Sequence, residues 1–250
     1  MTLKLAGVSR RFGGLYAVRD LSLEVPAGEV TGLIGPNGSG KSTVVNLVAG
    51  LLRLDSGAIH LDTQDITKLA PHKVAQARVA RTFQNLRLLK EATVLANVVA
   101  GMHRHDQTRL WQRRAGLPAV RRQESRFIEK GRALLARFGM SDYEQRLAGE
   151  LSYGHQRRVE IMRALASDPA VLLLDEPVAG MNDIEGEDLG RIFVSLARQG
   201  LAVLLIEHNM QFVARVCDRL HVLSSGESIA SGLAEDVLRD PKVIDAYLGA

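Results

Sequence analysis

The nine residues GPNGSGKST, Gly35 to Thr43, constrain the fold of this 250-residue chain more than any other stretch. They satisfy G-x-x-x-x-G-K-[ST], a pattern in which glycines let a tight turn aim successive backbone N–H groups at a phosphate. Lys41 then reaches the β- and γ-phosphates, and Ser42 can ligand magnesium. Such a turn has to be delivered by a strand and continued by a helix. Both flanks are present: VTGLIG, Val30 to Gly35, is a short apolar run, and Lys41 to Val48 reads as a helix. The expectation is a strand, phosphate loop and helix inside an α/β domain with a mixed sheet.

A second signal lies about 130 residues on. VLLLDE, Val171 to Glu176, is an apolar strand that ends in two carboxylates, at the strand end where ligands of α/β sheets gather. By itself the pattern is common; after a phosphate loop it assigns Asp175 to a magnesium water shell and Glu176 to polarising an attacking water. Three further residues gain meaning only beside these two. Gln84, in TFQN, follows a strand and can touch magnesium or the water. His208 follows the apolar strand AVLLIE and can hold the γ-phosphate, and Phe12, in RRFGG, can stack on a base.

The rest of the pattern is α/β at both ends and helical in the middle. LKLAGVSRRFG, LSLEVPAGE and SGAIHLD read as strands, as does VARTFQ, and a helical stretch runs from Val94 to about Phe138, interrupted at Leu117-Pro118. After Ser152 come a helix to about Ser167, the strand VLLLD, a helix from Ile184 to Gln199 and the strand AVLLI. A helix after His208, a hairpin turning at Ser225-Gly226 and a short C-terminal helix complete the chain. The net charge is only +4, yet Arg104 to Arg132 holds nine basic residues against three acidic ones. This basic insert could face nucleic acid, lipid headgroups, an acidic partner or solvent. Its aromatics, Trp111 and Phe127, do not form the interleaved pattern that single-stranded nucleic acid needs, so no nucleic-acid partner is expected. The chain's one cysteine, Cys217, cannot form an intramolecular disulfide, no apolar run approaches a membrane-spanning length, and the N-terminal residues lack the apolar centre of a signal peptide.

One motif remains. LSYGHQRRVEI, Leu151 to Ile161, looks like a helix start capped by Ser152, with Gly154 allowing close approach, and it too would suit an anion. The order Phe12, GPNGSGKST, Gln84, LSYGH, VLLLDE, AGMND and His208 resembles the nucleotide-binding subunit of an ATP-binding-cassette (ABC) transporter over essentially the whole chain. The resemblance implies a P-loop NTPase core, residues 1–86 and 167–250, with a helical signature subdomain at 87–166 that carries the basic insert near 104–132. It implies that ATP is bound by Phe12 and by Gly35, Pro36, Asn37, Gly38, Ser39, Gly40, Lys41, Ser42 and Thr43. Magnesium falls to Ser42, Gln84 and Asp175, and catalysis to Glu176, His208 and Gln84.

In the family the second cradle serves in trans. Ser152, Tyr153, Gly154 and His155 would bind the ATP held by the opposite subunit of a head-to-tail homo- or heterodimer, and AGMND, Ala179 to Asp183, would link the two sites. Finer spellings, TFQN, LSYG followed by QRR, LIEHNM and IDAYLG, are similar to ATPase subunits of bacterial importers for branched-chain and other hydrophobic or amide amino acids. That likeness implies transmembrane permease partners, a periplasmic solute-binding protein and a peripheral place on the cytoplasmic face of the inner membrane. An ATPase of another subfamily, for lipid or lipopolysaccharide export, and a nucleic-acid-associated cassette are the alternatives. The sequence departs from the family pattern at His155, where Gln is usual, at Tyr153, which replaces a glycine, and at Val178, which replaces a common Thr.

Overall fold

A computed structural model describes residues 1–82, 86–105 and 118–248. Its contacts divide the chain into two compact units, Met1–Gln84 with Ala170–Ala250, and Asn85–Pro169.

Among the described residues, the first unit contains two sheets. The smaller is antiparallel, in the order β2-β1-β4-β5, from β1 (Leu3–Phe12), β2 (Leu15–Val25), β4 (Ser56–Leu61) and β5 (Gln64–Asp65). β1 and β2 form a hairpin across Gly13-Gly14; side chains alternate between core and solvent at residues 3–6 and 21–25, as expected of a sheet buried on one face, and register shifts interrupt the alternation between them. The larger sheet has the order β10-β9-β3-β8-β7-β6 and comprises β3 (Val30–Ile34), β6 (Val79–Arg81), β7 (Val171–Asp175), β8 (Ala202–Ile206), β9 (Arg219–Ser224) and β10 (Glu227–Leu233). Its pairings are parallel except for the antiparallel β9–β10 hairpin, so the sheet is mixed. β3, β7 and β8 are buried at every residue, which is why they read as unbroken apolar runs.

Helix α1 (Lys41–Val48) leaves β3 through the glycine-rich turn and buries Val44, Val45, Leu47 and Val48. These residues join one core cluster with Leu3, Leu5, Leu21 and Ile59 from the smaller sheet and Leu33, Leu173 and Leu204 from the larger. α2 (Pro71–Gln76) is a short helix that the sequence pattern does not announce, because Val74 is its one buried residue. The β9–β10 turn falls at Ser225-Gly226, as expected; both have positive φ, 49° and 84°, the twist that a two-residue hairpin requires.

The second unit is helical: α3 (Val94–Ala100), α4 (Pro118–Arg137) and α5 (Tyr153–Ala166), with short 3₁₀ turns between them. Thr93 caps α3 by accepting from the Ala96 N–H at 3.1 Å. α4 begins at Pro118, where the sequence pattern breaks, and it exposes Arg121, Arg122, Arg126 and Lys130. The other part of the basic insert, including Arg109, Trp111, Arg113 and Arg114, lies outside the described residues. In the first unit, α6 (Asp183–Arg198), α7 (Met210–Val216), α8 (Ala234–Val237) and α9 (Pro241–Leu248) complete the fold.

Candidate functional site

The phosphate loop is shaped by positions where no side chain fits. Gly35 has φ 146°, and a Cβ there would lie 2.0 Å from the Leu223 carbonyl oxygen; at Gly40, φ 107°, it would lie 2.2 Å from that of Ala17. These glycines are therefore required both by backbone conformation and by the close passage of β9 and β2. Gly38, by contrast, has open space where its Cβ would be, so the outer face of the turn is free to receive a ligand. The Lys41 ammonium folds back over the turn and donates to the Gly35 and Pro36 carbonyl oxygens, both at 2.8 Å, and to Ser39 Oγ at 3.4 Å. Burial lowers the Lys41 pKa from its ordinary value, while the nearby Glu176 and Asp175 carboxylates oppose that shift.

At the end of β7, Asp175 is buried and its N–H faces Thr82 Oγ1 at 3.5 Å. Glu176 follows in the left-handed region, φ 49°, with its N–H donating to the Ile206 carbonyl at 3.0 Å. For a non-glycine residue that conformation costs about 1 kcal/mol, offset here by the surrounding strand ends. His208, just beyond β8, is exposed; its Nδ1 lies 3.8 Å from Glu176 Oε1 and 3.9 Å from Glu207 Oε2. Glu207 was not picked out by sequence reasoning, yet its side chain is 1% exposed. It accepts from the N–H groups of Val178, at 3.3 Å, and His208, at 3.2 Å, thereby tying the segment after β7 to the segment after β8. Burial raises the Glu207 pKa, and those N–H donors work against the rise. An acid ending an apolar strand was the available signal, the same one that identifies Asp175.

Phe12, at the end of β1, is 47% exposed and lies under the Arg10 guanidinium, 4.8 Å from its ring centroid. One face of an aromatic ring is thus available on the hairpin whose second strand passes Gly40. α9 also reaches the loop: Asp245 and Ala246 line a cleft of about 310 Å³ with Asn37 and Gly38, a contribution the motifs do not reveal. Gln84 lies outside the described residues.

The LSYGH segment belongs to the second unit. Ser152 caps α5, accepting from the His155 N–H at 3.4 Å, and its Oγ lies 3.0 Å from His155 Nδ1. The His155 ring lies against Tyr143, with centroids 4.6 Å apart, so Tyr143 and Ser152 both contact it. Gly154 is buried and Tyr153 is 45% exposed. AGMND ends in a helix start: the Asn182 side chain and Glu185 form a reciprocal capping box at α6.

A glycine-rich turn with an open outer face, a buried ammonium, and hydroxyl and carboxylate oxygens nearby fit a polyphosphate and a hard divalent cation. This fold and site define the class, and the comparisons agree with it. The ABC transporter family profile matches residues 18–179, and the chain belongs to that family. The profile described as Branched-chain amino acid ATP-binding cassette transporter matches residues 227–250, the segment of β10, α8 and α9. The chain is 41% identical over 248 residues to the high-affinity branched-chain amino acid transport ATP-binding protein BraF of Pseudomonas aeruginosa, covering 99% of this chain and 97% of that one. It is 38% identical, with the same coverage, to the corresponding protein LivG of Escherichia coli K12. Among solved structures, a nucleotide-free ATP-binding cassette from an ABC transporter superposes over the full length of both chains with a TM-score of 0.86 at 34% identity.

Proposed function

We propose that this chain is the ATP-hydrolysing subunit of an ABC importer for branched-chain or other hydrophobic or amide amino acids. The observation that carries the reading is the convergence, beyond the carboxyl ends of the adjacent strands β3, β8 and β7, of Lys41, Asp175, Glu176 and His208. The relatives' names supply the class of solute.

In this reading the loop N–H groups and Lys41 hold the β- and γ-phosphates, and Phe12 offers its face to the adenine. Ser42, Asp175 and Gln84 would hold magnesium, which neutralises charge on the phosphates when bound. Glu176 accepts the proton of the attacking water, and His208, within 4 Å of Glu176, steadies the γ-phosphate. Ser152, Tyr153, Gly154 and His155 present donors and a helix N-terminus to the ATP of a second subunit, so each phosphate loop is completed by the partner of a head-to-tail pair.

No helix among the described residues is long and apolar enough to cross a membrane, and in the import reading the chain docks on transmembrane permease partners from the cytoplasmic face of the inner membrane. The test is reconstitution with the membrane subunits and a periplasmic binding protein in vesicles. ATP-dependent uptake of leucine or a similar amino acid is expected; hydrolysis that never responds to loaded binding protein would remove the import reading.

The segment after Gln84 is the expected contact for those permeases. Buried Asn97 anchors it, accepting from the Leu89 N–H at 2.8 Å and donating to the Leu89 carbonyl at 2.9 Å. With the backbone held there, Leu88 is half-buried and the Leu89 side chain is 57% exposed. Leu89→Asp is expected to reduce coupled uptake at least about tenfold, the loss of one interface anchor, while ATP hydrolysis by the isolated subunit stays within about twofold. Leu88→Asp should act in the same direction with some loss of stability. Uptake unaffected by Leu89→Asp would move the docking surface elsewhere.

A further inference from the structure

Arg81 ends β6, and its guanidinium is only 12% exposed. Withdrawing a guanidinium from water is costly unless its partners are well placed, and here they are specific. One terminal nitrogen donates to Asp175 Oδ2 at 3.0 Å and the other to Asn46 Oδ1 at 2.5 Å. The sheet register explains the first contact. Arg81 pairs with Leu173 in the parallel β6–β7 ladder, and Asp175, two residues further on, shares that face. Helix periodicity explains the significance of the second. Asn46 lies four residues after Ser42 on α1, so both occupy one side of the helix. The guanidinium fork therefore spans from the helix side that bears Ser42 to the strand end that bears Asp175.

We propose that Arg81 is a positioning residue for the divalent cation: through Asn46 and Asp175 it sets the separation of the hydroxyl and carboxylate that would bind it. This rests on the assignment of Ser42 and Asp175 to the metal under Proposed function. A lysine at position 81 has a single charged nitrogen and could not hold both partners in one plane.

The test uses the full chain and a fluorescent ATP analogue, titrated with Mg2+ and, separately, in EDTA. Arg81→Gln is expected to raise the Mg2+ midpoint for nucleotide binding about tenfold or more, the usual scale for losing a group that orients a metal ligand. Arg81→Lys should fall between, and Asn46→Ala should shift the midpoint in the same direction by less. Nucleotide affinity in EDTA should stay within about twofold, which separates a metal effect from general damage. A midpoint that is unchanged, or lower because Arg81 competes with the metal, overturns the proposal. If Arg81→Gln does not fold, the Asn46→Ala midpoint decides. A wild-type chain whose nucleotide binding ignores Mg2+ would instead remove the metal assignment on which the proposal rests.

Discussion

Glu176→Gln is expected to abolish steady-state ATP turnover, with a loss of at least about a hundredfold, while nucleotide affinity stays within about twofold. General-base groups contribute about 10²–10⁴ in rate, and an amide of the same shape cannot accept the proton of water. The structure makes the separation of binding from turnover reasonable. Glu176 is held through its backbone by Ile206, so the substitution leaves the strained turn in place, and the loop that grips phosphate is built from other residues. With hydrolysis blocked, two chains should accumulate around trapped ATP and elute as a dimer in Mg-ATP on size exclusion. Phosphate release, nucleotide binding and elution volume are measured on the same preparation. Wild-type turnover by this variant would take Glu176 out of its role, and a monomer that binds ATP normally would count against the head-to-tail pair.

Lys41→Ala has the second large effect, and it should appear in binding as well as in turnover. A hydrogen bond to a charged group contributes about 1.5–3 kcal/mol, so losing the ammonium should weaken nucleotide affinity by about ten- to a hundredfold and remove measurable hydrolysis. The contacts to the Gly35 and Pro36 carbonyls mean that the ammonium also closes the turn on itself, so some loss of thermal stability is expected as well. Calorimetric binding beside a thermal melt separates the two effects. Unchanged affinity with a lowered melting temperature would reduce Lys41 to a structural residue.

Much of the architecture was legible before any coordinates. The strand, phosphate loop and helix, the buried strands of VLLLD and AVLLI, the hairpin at Ser225-Gly226 and the helix start at Ser152 all follow from local rules: turn chemistry, apolar periodicity and capping. These rules act over a few residues, so one stretch of chain suffices to express them. The assignment of strands to sheets was not legible in the same way. Nothing in LSLEVPAGE or SGAIHLD says that these residues join an antiparallel sheet separate from the one containing β3, because pairing partners are chosen by packing around α1 and not by the strands themselves. α2 escaped for a related reason, having one buried side chain and hence no periodicity to read.

The candidate site divides along the same line. The sequence by itself determined the chemistry available: a glycine turn with a lysine, two carboxylates at a strand end, a histidine after another strand, and a capped serine. Each of those lies within one short motif. Only the tertiary structure decided which groups act on one another, because the distances involved join residues far apart in the chain. The parallel register of β6 on β7 delivers Arg81 to Asp175, 94 positions away, and Asn46 completes the fork from α1. Buried Glu207 joins the backbone at Val178 to that at His208, and α9 brings Asp245 and Ala246 beside the phosphate loop. The left-handed turn at Glu176 belongs to this second class too. A glutamate has no local preference for positive φ, and it is kept there because the surrounding sheet, through the Ile206 carbonyl, offsets the cost.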